Sequence, residues 1–216
     1  GGRTIFMRIS VIIVNYNGGE RALASLRLVA NRMPESDSEI LVVDNASDDG
    51  SRELLEEEAA RVPEVRLLSM PSNGGYARGV NAGLSRATGE VMIVLNADVV
   101  PEPVAIRTLS ESALDGEFGL VGGLVLGRDG RPDPNSSRSL PRPSDILLEG
   151  ILFRQRFRQA DLTLDGPVVP TEVISGSVMA LSRAALETLG PLDEDFFLYR
   201  EDVEWCRRAG KMGLRV

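Results

Sequence analysis

The chain has 216 residues, with 24 Lys and Arg against 32 Asp and Glu, and its formal net charge of −8 excludes a broad nucleic-acid-binding face, which needs clustered positive charge. It contains no histidine and a single cysteine, Cys206, so Ser-His-Asp and Cys-His catalysis, His-ligated zinc, CxxC redox chemistry and internal disulfides are excluded within these residues. What is left is chemistry built on carboxylates, backbone groups and a hard cation with oxygen ligands.

A hydrophobic content of 43% fits one soluble α/β core. Residues 1–6, ahead of Met7, read as a leader or an expression remnant and are set aside. From Arg8 to Asn15 and from Ile40 to Asp44 the chain is almost continuously apolar, as for parallel strands buried on both faces. Between these strands Glu20 to Ala30 has helical spacing. Ser51 to Arg61 is a second helix, with Ser47 or Asp48 as its cap. Val65 to Ser69, Tyr76 to Ala87 and Glu90 to Leu95 follow as strand, helix and strand. Pro101 or Pro103 suits the first turn of a helix running to Leu114, before a strand from Phe118 to Leu126. This alternation is the signature of βαβ units and a mostly parallel sheet.

From Gly127 to Ser144 the composition turns to Gly, Pro, Ser, Asp and Arg, which favours an irregular loop, and long loops in compact domains are often functional. Ile146 to Arg158 resumes helical spacing and carries Arg154, Arg156 and Arg158, as an interfacial helix does. Glu149 and Gly150 interrupt that stripe, which favours a helix packed on the sheet; a peripheral membrane contact stays open. A strand-like pair around Val173 and Val178 to Leu181, a helix from Arg183 to Leu189 and a last helix from Glu201 to Gly210 complete the pattern. The final residues, Gly213 to Val216, read as a strand that continues in a longer natural protein. No apolar run approaches the ~20 residues of a membrane span, and no signal-peptide pattern opens the chain. With the lone cysteine, the expected location is the cytoplasm, with a contact at the inner face of the membrane as the open addition.

Polar residues gather at three strand ends: Asn15-Tyr16-Asn17, Asp44-Asn45 and Asn96-Ala97-Asp98. In open α/β sheets that edge binds ligands. A single Asp at such a place is more often a turn former or helix cap, the better reading for Asp48 and Asp49, but three clusters at three strand ends exceed that explanation. Neither GxGxxG after the first strand nor a GxxxxGK phosphate loop is present. The glycines of Asn73 to Gly79 form a tight turn or permit close backbone approach to a ligand.

The segments VIIVNYNGG (Val11 to Gly19), LVVDNASDDGS (Leu41 to Ser51), NGGYARGVNAG (Asn73 to Gly83), VLNADVVPEP (Val94 to Pro103), SGSVMALSR (Ser175 to Arg183) and LDEDFFLYREDVEW (Leu192 to Trp205) resemble, in register, glycosyltransferase family 2, and within it the bacterial rhamnosyltransferase-like branch. The resemblance covers the chain from about Met7 to its end. It implies a GT-A fold: a nucleotide-binding part over about 7–126 and an acceptor-side part over about 127–216. It implies an inverting transfer of a sugar from a dTDP- or UDP-sugar donor to a saccharide or lipid-linked saccharide, aided by Mg2+ or Mn2+.

Residue by residue, Val14 and Tyr16 match the first-strand edge that lines the base, and Asp44 matches the aspartate at the pyrimidine end. Asn73 and Gly75 match the next nucleotide-facing loop, where the family's frequent Arg before the second Asn is replaced by Val80. Asn96-Ala97-Asp98 matches the DxD motif with Asn first, so Asp98 is assigned to the metal and Asn96 to a neutral oxygen contact. Asp202 falls on the catalytic base and Glu201 on its acidic, acceptor-side neighbour. Trp205, Tyr199, Phe196 and Phe197 read as core before binding surface. Relatives often carry a metal-binding histidine beyond the point where this chain ends. Two other readings remain, a noncatalytic nucleotide-sugar-binding protein and a sugar nucleotidyltransferase, the second lacking its GGxGTR-type loop here.

Overall fold

In a computed structural model, the structure describes residues 7–33, 38–102, 104–127, 129–140 and 166–216. Four βα units open the chain: β1 (Ile9–Asn15), α1 (Gly19–Ala30), β2 (Glu39–Asp44), α2 (Ser51–Ala59), β3 (Val65–Ser69), α3 (Tyr76–Arg86), β4 (Val91–Asn96) and α4 (Ala105–Leu114). After them come β5 (Val121–Gly122), β6 (Ser137–Arg138), β7 (Val173–Ile174), β8 (Val178–Ser182), α5 (Arg183–Leu189) and α6 (Glu201–Lys211). The main sheet has the order β3-β2-β1-β4-β8-β5. Strands β1 to β4 are parallel, and β8 runs antiparallel to both of its neighbours.

The apolar runs form central strands because helices cover both faces. Side chains alternate across a strand, so Ile9, Val11 and Ile13 join Ile40 and Val42 under α1, α2 and α4. Ile12, Val14, Leu41 and Val43 instead meet Val80 and Leu84 of α3 and Trp205 of α6. Helix α3 lies especially close to β1, since a Cβ at Gly79 would come within 2.7 Å of Val14 Cγ1 and one at Gly83 would strike Ile12.

Three readings change. The strand expected from Phe118 to Leu126 is only two residues long, because the chain leaves the ladder after Gly122 and Val125 N donates instead to Ser136 Oγ at 2.9 Å. The loop expected from Gly127 to Ser144 contains β6, which pairs with β7 in a separate two-stranded sheet, whereas β8 enters the main sheet. Helix α2 is preceded by left-handed Gly50, with Asp49 Oδ1 accepting from Ser51 N at 3.0 Å; Ser47 is engaged elsewhere. The helix expected at Ile146 to Arg158 lies outside the described residues. Among the described residues, no helix is long and apolar enough to cross a membrane.

Strand β1 has β2 on one side and β4 on the other, so the strand order reverses there and a crevice opens at the carboxyl ends. Because β8 is antiparallel, the turn that precedes it arrives at this same edge: Asn96 N donates to Ser177 O at 3.1 Å.

Candidate active site

A cavity of about 410 Å3 occupies the crevice. Val14 and Tyr16 line it from β1, Asn45 from the end of β2, Asn73 and Gly75 from the loop before α3, and Asn96 and Asp98 from the end of β4. Phe197 and Leu198 close it from the segment leading into α6. Left-handed backbone gathers on these loops: Asn17 (φ 52°), Ala46 (φ 62°), Tyr199 (φ 66°) and Arg200 (φ 75°). Non-glycine residues in this region carry local strain, and such strain concentrates at functional sites.

The three strand-end clusters divide by side-chain direction. Asp44 is fully buried; its Oδ1 accepts from Asn15 Nδ2 at 2.9 Å and Ser47 Oγ at 2.6 Å, and its Oδ2 from Ser47 N at 3.1 Å. It is not part of the cavity wall; Oδ1 holds the turn, while Oδ2, with the one bond from Ser47 N, keeps a lone-pair position open. Asn45 lines the cavity instead. Its Nδ2 donates to Asn73 Oδ1 at 2.9 Å and Gly75 O at 3.0 Å, and its Oδ1 accepts from Gly74 N at 3.2 Å. One side chain thereby ties the end of β2 to the glycine loop.

Helix α3 is fastened in turn to the segment that leads towards α6. Asn81 Nδ2 donates to Leu192 O at 2.9 Å and Asn81 Oδ1 accepts from Leu192 N at 2.9 Å. Arg78 pairs with Glu194 at 3.1 Å, away from the cavity wall, and Val80 is fully buried in the core. Neither supplies the guanidinium that family members place here.

At the other end of the cavity, Asn96 Oδ1 is buried without a hydrogen-bond partner. Tyr76 OH donates to Gly176 O at 2.7 Å. Burial first, and then the charges of Glu201, Asp202 and Asp98, push the Tyr76 phenol above its ordinary value, so it stays a protonated donor.

Glu201 and Asp202 open α6 and are both buried. The carboxyl of Glu201 is pushed up by burial and by Asp202, against its own backbone hydrogen bond, and its Oε2 has no partner. Asp202 Oδ2 accepts from Arg138 Nη2 at 3.0 Å and Gly176 N at 3.1 Å. Cys206, one turn on, is a buried thiol pushed up to about 12 by desolvation, inert as a nucleophile. Trp205 is fully buried, as expected, while Phe197 and Tyr199 are exposed, because the turn into α6 carries them outward.

The structure therefore brings Val14, Tyr16, Asn73, Gly75, Asn96 and Asp98 onto one cavity, links Asp202 through Gly176 to Tyr76 on its wall, and buries Asp44 in the turn after β2. Sequence reasoning missed Arg138, Asn45, Tyr76 and the cavity face of Phe197. Asn45 had a signal, its place in the strand-end cluster; Arg138 had none. Among the described residues no group of three or more acidic or thiol side chains forms a metal cage. One carboxylate and one amide oxygen still suit a small hard cation whose remaining ligands are phosphates and water, so Asp98 and Asn96 fit a Mg2+ or Mn2+ that arrives with a phosphorylated ligand.

The sequence profile of Glycosyl transferase family 2 matches residues 10–190. The chain is 32% identical to the N-acetylglucosaminyl-diphospho-decaprenol L-rhamnosyltransferase of Mycobacterium tuberculosis, over 95% of this chain and 71% of that protein. It is 27% identical to a low-salt glycan biosynthesis hexosyltransferase of Haloferax volcanii, over 99% of this chain and 65% of that one. Among solved structures it is similar to a mannosyltransferase from Pyrobaculum calidifontis in complex with GDP-Man and Mn2+ (TM-score 0.67, 22% identity, 98% of this chain and 54% of that one). It is also similar to GalNAc-T7 with UDP, GalNAc and Mn2+ (TM-score 0.73, 18% identity, 98% and 42%). The chain thus spans about half the length of these structural neighbours, whose likeness bears on the fold alone.

Proposed function

The chain belongs to glycosyl transferase family 2, with its GT-A fold, and from that premise we propose that it transfers a sugar from a nucleoside diphosphate sugar to a hydroxyl acceptor in one inverting displacement. The observation that carries this reading is that Asp98 and Tyr76 line one end of a single cavity, where Tyr76 OH bonds to Gly176 O and Gly176 N bonds to the Asp202 carboxylate, while the other walls suit a nucleotide. Val14 and Tyr16 flank the base, Gly75 admits its close approach, and Asn45 and Asn73 supply hydrogen bonds. Asp44 serves by holding the turn that presents Asn45. Asp98, with the Asn96 amide oxygen, would hold a Mg2+ or Mn2+, which would supply positive charge to offset that of the departing diphosphate.

Asp202 is the general base. As the acceptor oxygen bonds to the anomeric carbon, the bond from that carbon to the diphosphate breaks, its electron pair leaves on the phosphate oxygen, and the acceptor proton passes to Asp202. Attack opposite the departing group inverts the anomeric centre. Glu201, whose carboxyl is raised above its ordinary value by burial, is the acidic neighbour of the base on the acceptor side.

The mycobacterial relative's name carries a lipid-linked acceptor and rhamnose, which supports rhamnosyl transfer in cell-surface polysaccharide synthesis at the cytoplasmic face of the membrane. The division near residue 126 into donor and acceptor parts belongs to the same reading. Thermal denaturation with dTDP-rhamnose, UDP-glucose, UDP-galactose and UDP-N-acetylglucosamine, each with Mg2+ or Mn2+, tests it, because a ligand of the native state raises the midpoint. A metal-dependent rise with one donor, followed by sugar release, is expected. Binding without any release would favour a noncatalytic sugar-nucleotide protein.

A further inference from the structure

The two oxygens of Asp202, whose role as the general base is the reading on which the role of Arg138 rests, are not equally free. An ionised carboxylate offers about four lone-pair positions. On Asp202, Oδ2 takes Arg138 Nη2 at 3.0 Å and Gly176 N at 3.1 Å, while Oδ1 takes only Val203 N at 2.7 Å. Oδ2 is therefore full and Oδ1 has one position open. We propose that Arg138 is a positioning residue that, with the Gly176 amide, locks the carboxylate so that Oδ1 is the atom that receives the acceptor proton.

The architecture around Arg138 supports this. Among the described residues strands β6 and β7 pair only with each other, with Arg138 opposite Val173 and Ser137 opposite Ile174, and Ser137 Oγ lies 2.6 Å from Thr171 Oγ1. This small sheet fixes the backbone from which the guanidinium reaches the first turn of α6. The Arg138 and Asp202 side chains are only 18% and 12% exposed, and a buried ion pair is weak evidence for stability. Its geometric effect is specific, since a charge-assisted bond from a planar guanidinium orients a carboxylate better than a neutral donor does. Gly176 contributes through its backbone and stands in ordinary contact with Asp202, its added Cβ meeting Asp202 Cβ at 3.4 Å. In the transfer step the acceptor O–H proton goes to Oδ1 while the new C–O bond forms and the sugar–diphosphate bond breaks onto the phosphate oxygen.

The test compares wild type, Arg138→Gln, Arg138→Lys, Asp202→Asn and the double variant Arg138→Gln/Asp202→Asn. The probe is whichever of the four nucleotide sugars stabilises the protein most, with Mn2+ and with water as acceptor. Donor affinity is read by calorimetry and sugar release by its initial rate. Arg138→Gln should keep donor affinity within about twofold while release falls roughly 10- to 100-fold, short of the full loss of a base. Arg138→Lys should recover part of the rate, and Arg138→Gln should add no further loss to Asp202→Asn. If Arg138→Gln does not fold, Arg138→Lys carries the test alone: its flexible point charge should still release sugar at least about threefold more slowly, and an unchanged rate overturns the proposal. So does an equal loss in the Asp202→Asn background, or a loss of donor affinity that matches the loss of rate. Normal release by Asp202→Asn, or no release by a wild type that binds donor, overturns the base assignment as well; impaired Asp202→Asn beside normal Arg138 variants overturns only the positioning role.

Discussion

The amide of Tyr76 donates to the carbonyl of Phe197 at 2.9 Å, so the start of α3 at the cavity is joined directly to the segment that leads into α6. Gly75, just before, has a left-handed φ of 89°, and a Cβ there would strike the Phe197 carbonyl. Gly75→Ala should therefore destabilise the fold by about 1–3 kcal/mol through strain and part the two segments, lowering donor affinity and transfer together. Thermal denaturation, calorimetry and transfer rates check this. An unchanged midpoint would mean that the contact is slack.

Asp44 holds the turn after β2 through Asn15 and Ser47. Asp44→Ala leaves the Ser47 donors without this acceptor, at a cost of about 1–3 kcal/mol, and the weakening of free nucleoside diphosphate binding should come with that loss of stability. Asn45→Ala should weaken the same nucleotide by removing a cavity contact and its bonds to Asn73 and Gly75. Apo melting midpoints and nucleoside diphosphate titrations separate the two. Lost affinity in Asp44→Ala at an unchanged midpoint would restore a direct contact.

The same pair shows what could be read from the sequence. Strand-end clusters located the crevice, because strands buried on both faces announce themselves as apolar runs. Period-two alternation also decides which member of a cluster faces the ligand: Asp44 shares its parity with Ile40 and Val42, which face α1 and α2. Asn45 continues the parity of Leu41 and Val43, which face α3, where Asn73 and Gly75 lie. The motif located the pair, and the parity puts Asn45 on the cavity wall. Arg138 was illegible for another reason. Two-residue strands leave no periodic pattern, and the pairing of β6 with β7 is a long-range choice.

Metal dependence follows from the unpartnered Asn96 Oδ1 and from Asp98 on the cavity wall. In wild type, EDTA should weaken the donor by about tenfold or more, the scale on which losing one close charge contact costs about 1.4 kcal/mol or above. Asp98→Asn should bind weakly and be indifferent to EDTA. Calorimetric titration with and without chelator measures both, and a chelation-insensitive wild type would remove the metal assignment.

Glu201 gives stability a pH dependence of defined sign. Its carboxyl is raised above the ordinary 4.5 by burial and then by Asp202, so the folded protein holds this proton more tightly than the unfolded chain. The associated stabilisation is complete below the ordinary carboxylate range and is lost as pH rises through the raised value. Glu201→Gln, neutral throughout, escapes that loss, so its melting midpoint should gain on wild type as pH rises above the ordinary carboxylate range. Parallel midpoint curves would show that Glu201 ionises freely in the folded state.

Asp202→Asn separates chemistry from binding, because the base acts on the acceptor proton and need not hold the donor. The substitution keeps the size of the side chain and one oxygen acceptor but removes its basicity. Asn can still accept from Arg138 or from Gly176 N, so the start of α6 should stay in place and metal-dependent donor affinity should remain nearly intact. Transfer should fall by roughly 10²–10⁴-fold, the usual scale for loss of a general base. Asp98→Asn, by contrast, should damage binding and transfer together. Both quantities belong on the same preparation, with the anomeric configuration of the product read by NMR. Near-normal transfer by Asp202→Asn would defeat the base assignment, and a retained configuration in the wild-type product would defeat single displacement, since only attack opposite the diphosphate inverts the centre in one step.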